Sequence, residues 1–499
     1  MTTQLESKLF INNEFVASSQ KTTVDNLNPA TGEKISILHI PSKTDIHHAV
    51  EAAHQAFHSK AWREKTAEER AKYLEAISEK MKERKNELID CEVKDSGSCL
   101  RKAKADVHNA ASYFKVLAGQ LRKFAFEIQD NEATRAGFSK NFRRYEPVGV
   151  CAQIIPWNFP LVMAAWKIGP VIASGCTTVL KTAQETPMSA LILAEIIRDC
   201  GLPAGVINVI SGGATEGEEL ISNPKVKKIA FTGSTPVGKK IMQKASVDLK
   251  LVSLELGGKS ANIICADADL SMAIDGALYA FLYHSGQACD SGTRLLVDEK
   301  IWPTVKPLLI ERAKQVKVGL PHDPAAGYGP VISKKQYETI MGYIQSAQNE
   351  GAELLTGGKR VNEGEFSKGY YIEPTVFYTK KPIKICREEI FGPVLAVMTF
   401  KTEEEAITLA NDSDYGLAGA VWSKDEARAL NLAKQLEAGT VWVNEYHLLN
   451  PGMPFGGYKQ SGLGREMGEE GLKAYLEVKH LWVSDCNERS KKPWMDVLF

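Results

Sequence analysis

From about residue 148 onward, short apolar runs and helical stretches take turns: VGVCAQII, a helix over 161–174, TTVLK, a helix over 187–199, GVINVI, a helix over 216–222, KKIAF, a helix over 236–248, then LVSLEL. Runs this apolar are buried on both faces, and parallel neighbours need a crossover between them. The pattern therefore predicts a parallel sheet covered by helices on both sides. A second block follows Gly257 and Gly258, with helices over 269–284, 301–316, 335–350, 403–411 and 425–437 and strands at TRLLV, LAVMTF, LAGAVW and TVWVN. The fold class expected is α/β, with two doubly wound α/β domains. Ahead of them, Thr66-Ala-Glu-Glu69 has the pattern of a capping box, and Leu74, Ile77, Met81 and Leu88 follow at helical spacing, which predicts a packed outer helix.

Two segments have no core of their own. Residues 126–147 (FEIQDNEATRAGFSKNFRRYEP) read as a polar two-stranded ribbon, and VKHLWVSD (478–485) as an isolated strand. A lone ribbon is marginal in water and needs a partner, so ribbon and tail strand are expected to join across a subunit interface. The 499 residues carry 61 basic and 61 acidic side chains. That balance leaves no basic footprint for nucleic acid or anionic lipid. No run of about 18 apolar residues and no signal-type N-terminus is present, so a cytoplasmic protein is expected. The nine cysteines (91, 99, 151, 176, 200, 265, 289, 386 and 486) include no CxxC pair, which points to a reducing compartment and no metal site.

Four places carry candidate chemistry. Cys289, in SGQACDSGTR, sits between a helix and a strand with serine and glycine around it; it is either a small core residue or a thiol presented to a cleft. Glu255 ends the strand LVSLEL, just before two glycines, at the sheet edge where ligands bind; the alternatives are a solvated ion pair with Lys259 and a general base with a pKa raised by apolar surroundings. Asn158, in IIPWNFP, is a turn-maker or an amide donor for a developing oxyanion. In FTGSTPVGKK (231–240), Gly233 and Gly238 lie between a strand and a helix whose first N–H groups can cradle a pyrophosphate, although neither GxGxxG nor a P-loop is present.

In this order, PWNFP, FTGSTPVG, LELGGKS, GQAC, EEIFGPV, PFGGYKQSG and GRE resemble the NAD(P)-dependent aldehyde dehydrogenases of the hydrolytic, non-acylating type, over nearly the whole chain. The resemblance implies a Rossmann-like NAD(P)-binding domain from residues 1–125 and 148–257, a catalytic domain from 258–460, and oligomerisation segments at 126–147 and 476–499. It implies that Cys289 attacks the aldehyde, that Asn158 and the Cys289 N–H hold the oxyanion, that Glu255 activates water, and that Glu466 relays the proton. Ile155, Trp157, Lys181, Gln184, Gly217, Gly233, Ser234, Val237 and Leu256 fall at cofactor positions, with Glu389 and Phe391 at the nicotinamide ribose and ring.

Gln184 stands where many NAD-preferring members carry Glu. An amide there does not repel a 2′-phosphate, so the expectation is NAD use with NADP tolerated. The substrate position is lined by Phe159, Met163, Trp166, Leu449 and Phe455, which suits aliphatic and aromatic aldehydes. A betaine aldehyde dehydrogenase ranks second, because Tyr283, His284 and residues 445–447 offer part of an aromatic box. A CoA-acylating dehydrogenase is disfavoured by Glu255, and a cysteine hydrolase with His284 as its base by the loop at 231–240. A homotetramer or homodimer is expected.

Overall fold

Each predicted apolar run pairs with others of its kind. The computed structural model describes residues 5–130 and 139–498. Its first sheet has eight strands in the spatial order Gly462–Leu463, Leu251–Glu255, Val226–Thr232, Val150–Ile154, Thr177–Thr182, Ile207–Ser211, Leu9–Ile11 and Glu14–Val16. The five strands between 150 and 255 are parallel. From Val150–Ile154 the chain winds outward to Ile207–Ser211, then returns to the other flank with Val226–Thr232. The strand order thus reverses beside Val150–Ile154, and in such sheets a crevice opens at the carboxyl ends there. Register puts Ile154 opposite Lys181 and Phe231, and Thr232 opposite Glu255, so the residues after these strands share one edge.

The second sheet has seven strands, in the order Glu353–Thr356, Thr375–Tyr378, Val394–Phe400, Arg294–Asp298, Ala261–Ile264, Ala418–Trp422 and Thr440–Val443, parallel except for the first. The sheets meet at the turn Gly257–Gly258. The chain then comes back to the first sheet, where Gly462 and Leu463 pair antiparallel with Glu255 and Leu254.

Helix Pro160–Ser174 is buried along its whole length. It starts with Pro at its first position and ends at Gly175 in the left-handed region (φ 87°), as a proline start and glycine stop favour. It packs against Leu100–Lys123 and Ala67–Glu83 in one apolar cluster that includes Phe114, Leu117, Leu161, Ile168 and Ile172. The approach is close at Gly169, where a Cβ would lie 2.8 Å from the Tyr113 ring.

Thr66 and Glu69 form the predicted capping box, with Glu69 N–H donating to Thr66 Oγ1 at 3.2 Å and Thr66 N–H to Glu69 Oε2 at 2.8 Å. Leu74, Ile77 and Met81 face inward as expected, whereas Leu88 belongs to the next helix, Lys85–Ser96, because Arg84 leaves helical geometry (φ −94°, ψ 17°). An earlier helix, Lys43–His58, was not expected; its box uses Ser42 with Asp45, a shorter acid than the Glu or Gln of the usual pattern.

The ribbon and the tail strand pair, but within one chain. Leu476–Ser484 runs antiparallel to Ser139–Pro147 over nine registered pairs, and Glu127–Asp130 adds the third strand. Joining across a subunit interface is corrected to joining in cis: both strands leave the same body, at Val148 and Tyr475, where Val148 N–H donates to the Tyr475 carbonyl at 3.2 Å. Residues 131–138 of the ribbon, and Phe499 of the tail segment, lie outside the described residues. Among the described residues no helix is long and apolar enough to cross a membrane.

Candidate active site

Where the two sheets meet, a cavity of about 410 Å³ opens between helix Pro160–Ser174 and the loops after Thr440–Val443. Phe159, Met163, Trp166, Leu449 and Phe455 line it together with Glu255, Cys289 and Glu466. The local chain explains each placement. Phe159, Met163 and Trp166 lie at or near the start of one helix, spaced to share a face. Glu255 is the last residue of its strand. Phe455 and Glu466 form a β-bridge, exchanging N–H and C=O at 2.7 Å in both directions, which puts Glu466 under the floor. Trp166 and Phe455 meet ring to ring at 5.5 Å.

Cys289 is half-buried, and burial together with the carboxylates Asp290, Glu389 and Glu255 pushes its thiol well above its usual range. Glu255 is buried, neither of its carboxyl oxygens has a partner among the described residues, and burial followed by the Glu466 charge pushes it well above the usual carboxylate range. Gly456, with φ 156°, lets the opposing loop approach: a Cβ there would lie 2.7 Å from Glu255 Oε1. Asn158 is fixed from both ends. Its Nδ2 donates to the Gln287 carbonyl at 2.8 Å, two residues before Cys289, and its own carbonyl accepts from Lys102 Nζ at 3.3 Å. A primary amide has two N–H groups, so one is left beyond the bond to Gln287.

Two ion pairs and one carboxylate–imidazole contact around the cavity were missed from sequence. Lys167 is buried and ion-paired with Glu466, and it donates to Thr232 Oγ1 at 2.7 Å. The signal was available: it is the single charged residue in an otherwise apolar fifteen-residue helix. Lys102 and Asp106 form a second buried pair at 2.5 Å, with Lys102 Nζ also 4.1 Å above the Phe159 ring. Asp290 lies 3.2 Å from His447 Nδ1. Lys102 and Asp106 are four residues apart on helix Leu100–Lys123, a spacing the sequence displays, whereas Lys167 with Glu466 and Asp290 with His447 join distant segments that no local pattern links.

His284 does not support a hydrolase. It is buried in the left-handed region (φ 52°), packs on Phe159, and lines a different cavity from the one that Cys289 faces. Burial and the nearby Lys102 charge hold it well below its usual pKa.

The cofactor candidates line the carboxyl edge of the first sheet. Ile155 and Trp157 follow Val150–Ile154, and Lys181 and Gln184 end or follow Thr177–Thr182. Gly233 and Ser234 follow Val226–Thr232, and Leu256 follows Leu251–Glu255. Leu256 N–H donates to the Ser461 carbonyl at 2.8 Å, and Gly233 N–H to the Glu255 carbonyl at 3.0 Å, so the loops are tied to each other. Lys181 is buried, donates to the carbonyls of Gly212 and Thr182, and is pushed down to about 8 by burial. Its stem runs past Gly217, where a Cβ would sit 3.3 Å from Lys181 Cε.

Helix Thr235–Ala245 begins after Ser234, whose hydroxyl does not cap it, and has Pro236 in its first turn, with Val237 exposed beside it. An uncapped helix start at the carboxyl edge of a parallel sheet fits a pyrophosphate. Across the seam, Glu389 Oε1 accepts from the Gly258 N–H at 3.0 Å, and burial pushes the carboxyl up to about 7. A side chain on Gly257 would collide with Glu389. Phe391 adopts φ 57° and meets Trp157 edge to face at 5.3 Å.

A two-sheet α/β protein in which a thiol, an unpartnered carboxyl and a dinucleotide-type crevice share one seam belongs to the class of nucleotide-dependent enzymes with a cysteine in the cleft. The comparisons sharpen the class. Residues 15–481 match the aldehyde dehydrogenase family. Betaine aldehyde dehydrogenase of Bacillus subtilis (strain 168) is 42% identical over 480 residues, covering 96% of this chain and 97% of that protein. Retinal dehydrogenase 2 of Homo sapiens is 44% identical over 482 residues, covering 96% and 92%. The crystal structure of betaine aldehyde dehydrogenase from Staphylococcus aureus in complex with NAD+ superposes with a TM-score of 0.94 at 40% identity, covering 97% of this chain and 96% of that one. The chain belongs to the aldehyde dehydrogenase family.

Proposed function

We propose that this enzyme oxidises an apolar aldehyde to its carboxylic acid with NAD through a thioester on Cys289, broad in its acceptance of aliphatic and aromatic side chains. The observation that carries the reading is that Cys289 and Glu255 face one largely apolar cavity lined by Phe159, Met163, Trp166, Leu449 and Phe455. The Cys289 thiolate adds to the aldehyde carbon, and the resulting oxyanion takes the free N–H of Asn158 together with the Cys289 backbone N–H. Glu389, Phe391 and Trp157 would hold the nicotinamide, which when bound would supply the acceptor for the hydride leaving this carbon. Glu255 then takes a proton from water, which attacks the thioester and releases acid and thiol. Glu466, held by Lys167, is placed to pass that proton onward. Ile155, Lys181, Gln184, Gly217, Gly233, Ser234, Val237 and Leu256 would hold the rest of the dinucleotide.

Betaine aldehyde stands second, favoured by the Tyr279, Tyr283 and His447 rings at the outer end of the same cavity. Of the carboxylates beside them, Asp106 is already ion-paired with Lys102, and Asp290 lies 3.2 Å from His447 Nδ1, which leaves less for an ammonium group. Reduced nicotinamide formed from hexanal, benzaldehyde and betaine aldehyde, with and without CoA, separates the readings. Faster turnover of betaine aldehyde would reverse their order, and dependence on CoA would overturn the hydrolytic step.

Residues 1–125 and 148–257 are assigned to the NAD-binding unit, 258–460 to the catalytic unit, and 126–147 with 476–499 to the bridging segments. The edge of Leu476–Ser484 that pairs with no other strand among the described residues, with Val478 and Trp482 exposed on the strand, supports a homodimer or homotetramer. A monomeric mass in light scattering would overturn this. Nine free thiols suit the cytoplasm.

A further inference from the structure

The corner of the crevice that would receive the adenosine ribose holds an acid that the sequence motifs did not single out. Strand Ile207–Ser211 ends at Gly212 and Gly213, and the nine-residue helix Ala214–Ser222 follows. Its third residue, Glu216, reaches back so that Glu216 Oε2 accepts from the Gly213 N–H at 2.7 Å. A Cβ built on Gly213 would touch Gln184 Nε2 at 3.4 Å and Glu216 Oε2 at 3.5 Å. The ends of Gln184 and Glu216 therefore converge within the reach of one methyl group. Glu185, the acid next to Gln184 in sequence, is exposed to solvent instead.

We propose that Glu216 is the residue with which this chain excludes a 2′-phosphorylated dinucleotide, replacing the carboxylate that Gln184 lacks. The inference rests on the NAD-dependent reading above. Two effects of the same side chain act together. Its carboxylate occupies the helix N-terminus, where a phosphate would otherwise find the Gly213 N–H and the positive end of the helix. It also places a negative charge beside Gln184, where a ribose hydroxyl can donate to it and a phosphate is repelled. Lys181 lies within electrostatic reach of Glu216 and lessens its field, but its hydrogen bonds go to the carbonyls of Gly212 and Thr182 and not to that carboxylate. The NADP tolerance expected from Gln184 alone then gives way to a preference for NAD.

Glu216→Gln tests this cleanly, because the amide oxygen can still accept from Gly213 while the charge is removed. Dissociation constants of NADH and NADPH are measured on the full-length protein by nucleotide fluorescence, without aldehyde, alongside kcat/KM for NAD+ and NADP+. The expected result is a shift of the NADPH to NADH affinity ratio toward NADPH by tenfold or more, about 1.4 kcal/mol. Restoring the charge by Gln184→Glu in the Glu216→Gln background reverses the shift, and Glu185→Gln leaves the ratio where it was. Raising ionic strength narrows the wild-type preference and not that of Glu216→Gln, which a purely structural cap would not produce. A shift smaller than tenfold, with both nucleotides still bound, overturns the role of Glu216 and leaves the dehydrogenase reading standing. Failure of the wild type to bind either nucleotide overturns both.

Discussion

The two sides of the seam are built by opposite rules. On the nucleotide side the polar groups are engaged: Glu389 accepts from Gly258, Lys181 donates to two carbonyls, Glu216 holds Gly213, and loop ties to loop through Leu256 and Ser461. On the aldehyde side both oxygens of Glu255 and one oxygen of Glu466 are buried without a partner among the described residues. An unpaired buried carboxyl is costly, on the order of 1–3 kcal/mol or more, and is the kind of group that changes its proton during a reaction. Satisfied groups give a rigid seat for a ligand that arrives and leaves unchanged in its binding half. The unsatisfied oxygens of Glu255 line the cavity where bonds change.

Substitutions on the aldehyde side should remove chemistry while leaving nucleotide binding in place, and the reverse should hold across the seam. Cys289→Ala is expected to lower aldehyde oxidation by at least about ten-thousandfold, with NADH affinity unchanged within about threefold; activity surviving would falsify the nucleophile assignment. Glu255→Gln is expected to cost about 10²–10⁴ in steady-state turnover, while a rapid burst of about one NADH per site persists, since the acid is needed after hydride transfer. Loss of the burst as well would move Glu255 to an earlier step. Asn158→Ala is expected to cost about 10²–10³ in kcat, the usual worth of one oxyanion donor; a change confined to KM would reduce it to a turn-former.

The pH profile follows from the same groups. Thiolate and carboxylate are the deprotonated forms, and burial raises both Cys289 and Glu255. Activity is therefore low in acid and climbs as pH rises, at least about tenfold in kcat/KM between about pH 6 and about pH 8. A flat kcat/KM profile would contradict raised ionisation at Cys289, and a flat kcat profile that at Glu255. The smallest effect is expected on the nucleotide side. Gly257→Ala forces the end of Glu389 to move, which should raise the NAD+ KM about threefold to tenfold with kcat held within about twofold.

What was legible in the sequence was what local pattern encodes. Both α/β blocks, the Thr66 box, and the settings of Cys289, Glu255 and Asn158 were read from runs, caps and turns, and the structure gathers them at one seam. Partnerships between distant segments were not legible. Strand potential in 126–147 and 478–485 was visible, yet nothing local says that the two pair in cis, over a separation of more than 300 residues. Lys167 was hidden by its own helix, because apolar periodicity averages over a single cation, and its partner Glu466 lies 299 residues away. Leu88 was misassigned because helical spacing continues across the break at Arg84.

The late return of the chain at Gly462–Leu463 also sets an order in time. The first sheet lacks an edge strand, and the cleft lacks Phe455 and Glu466, until residues made after the whole second sheet are in place. On the ribosome the nucleotide half emerges first but waits for the last tenth of the chain before its seam can close. Contacts of such long sequence separation form slowly. Nucleotide seat and reactive thiol therefore mature together, and a chain stopped short of residue 455 exposes a thiol whose cleft lacks both Phe455 and Glu466.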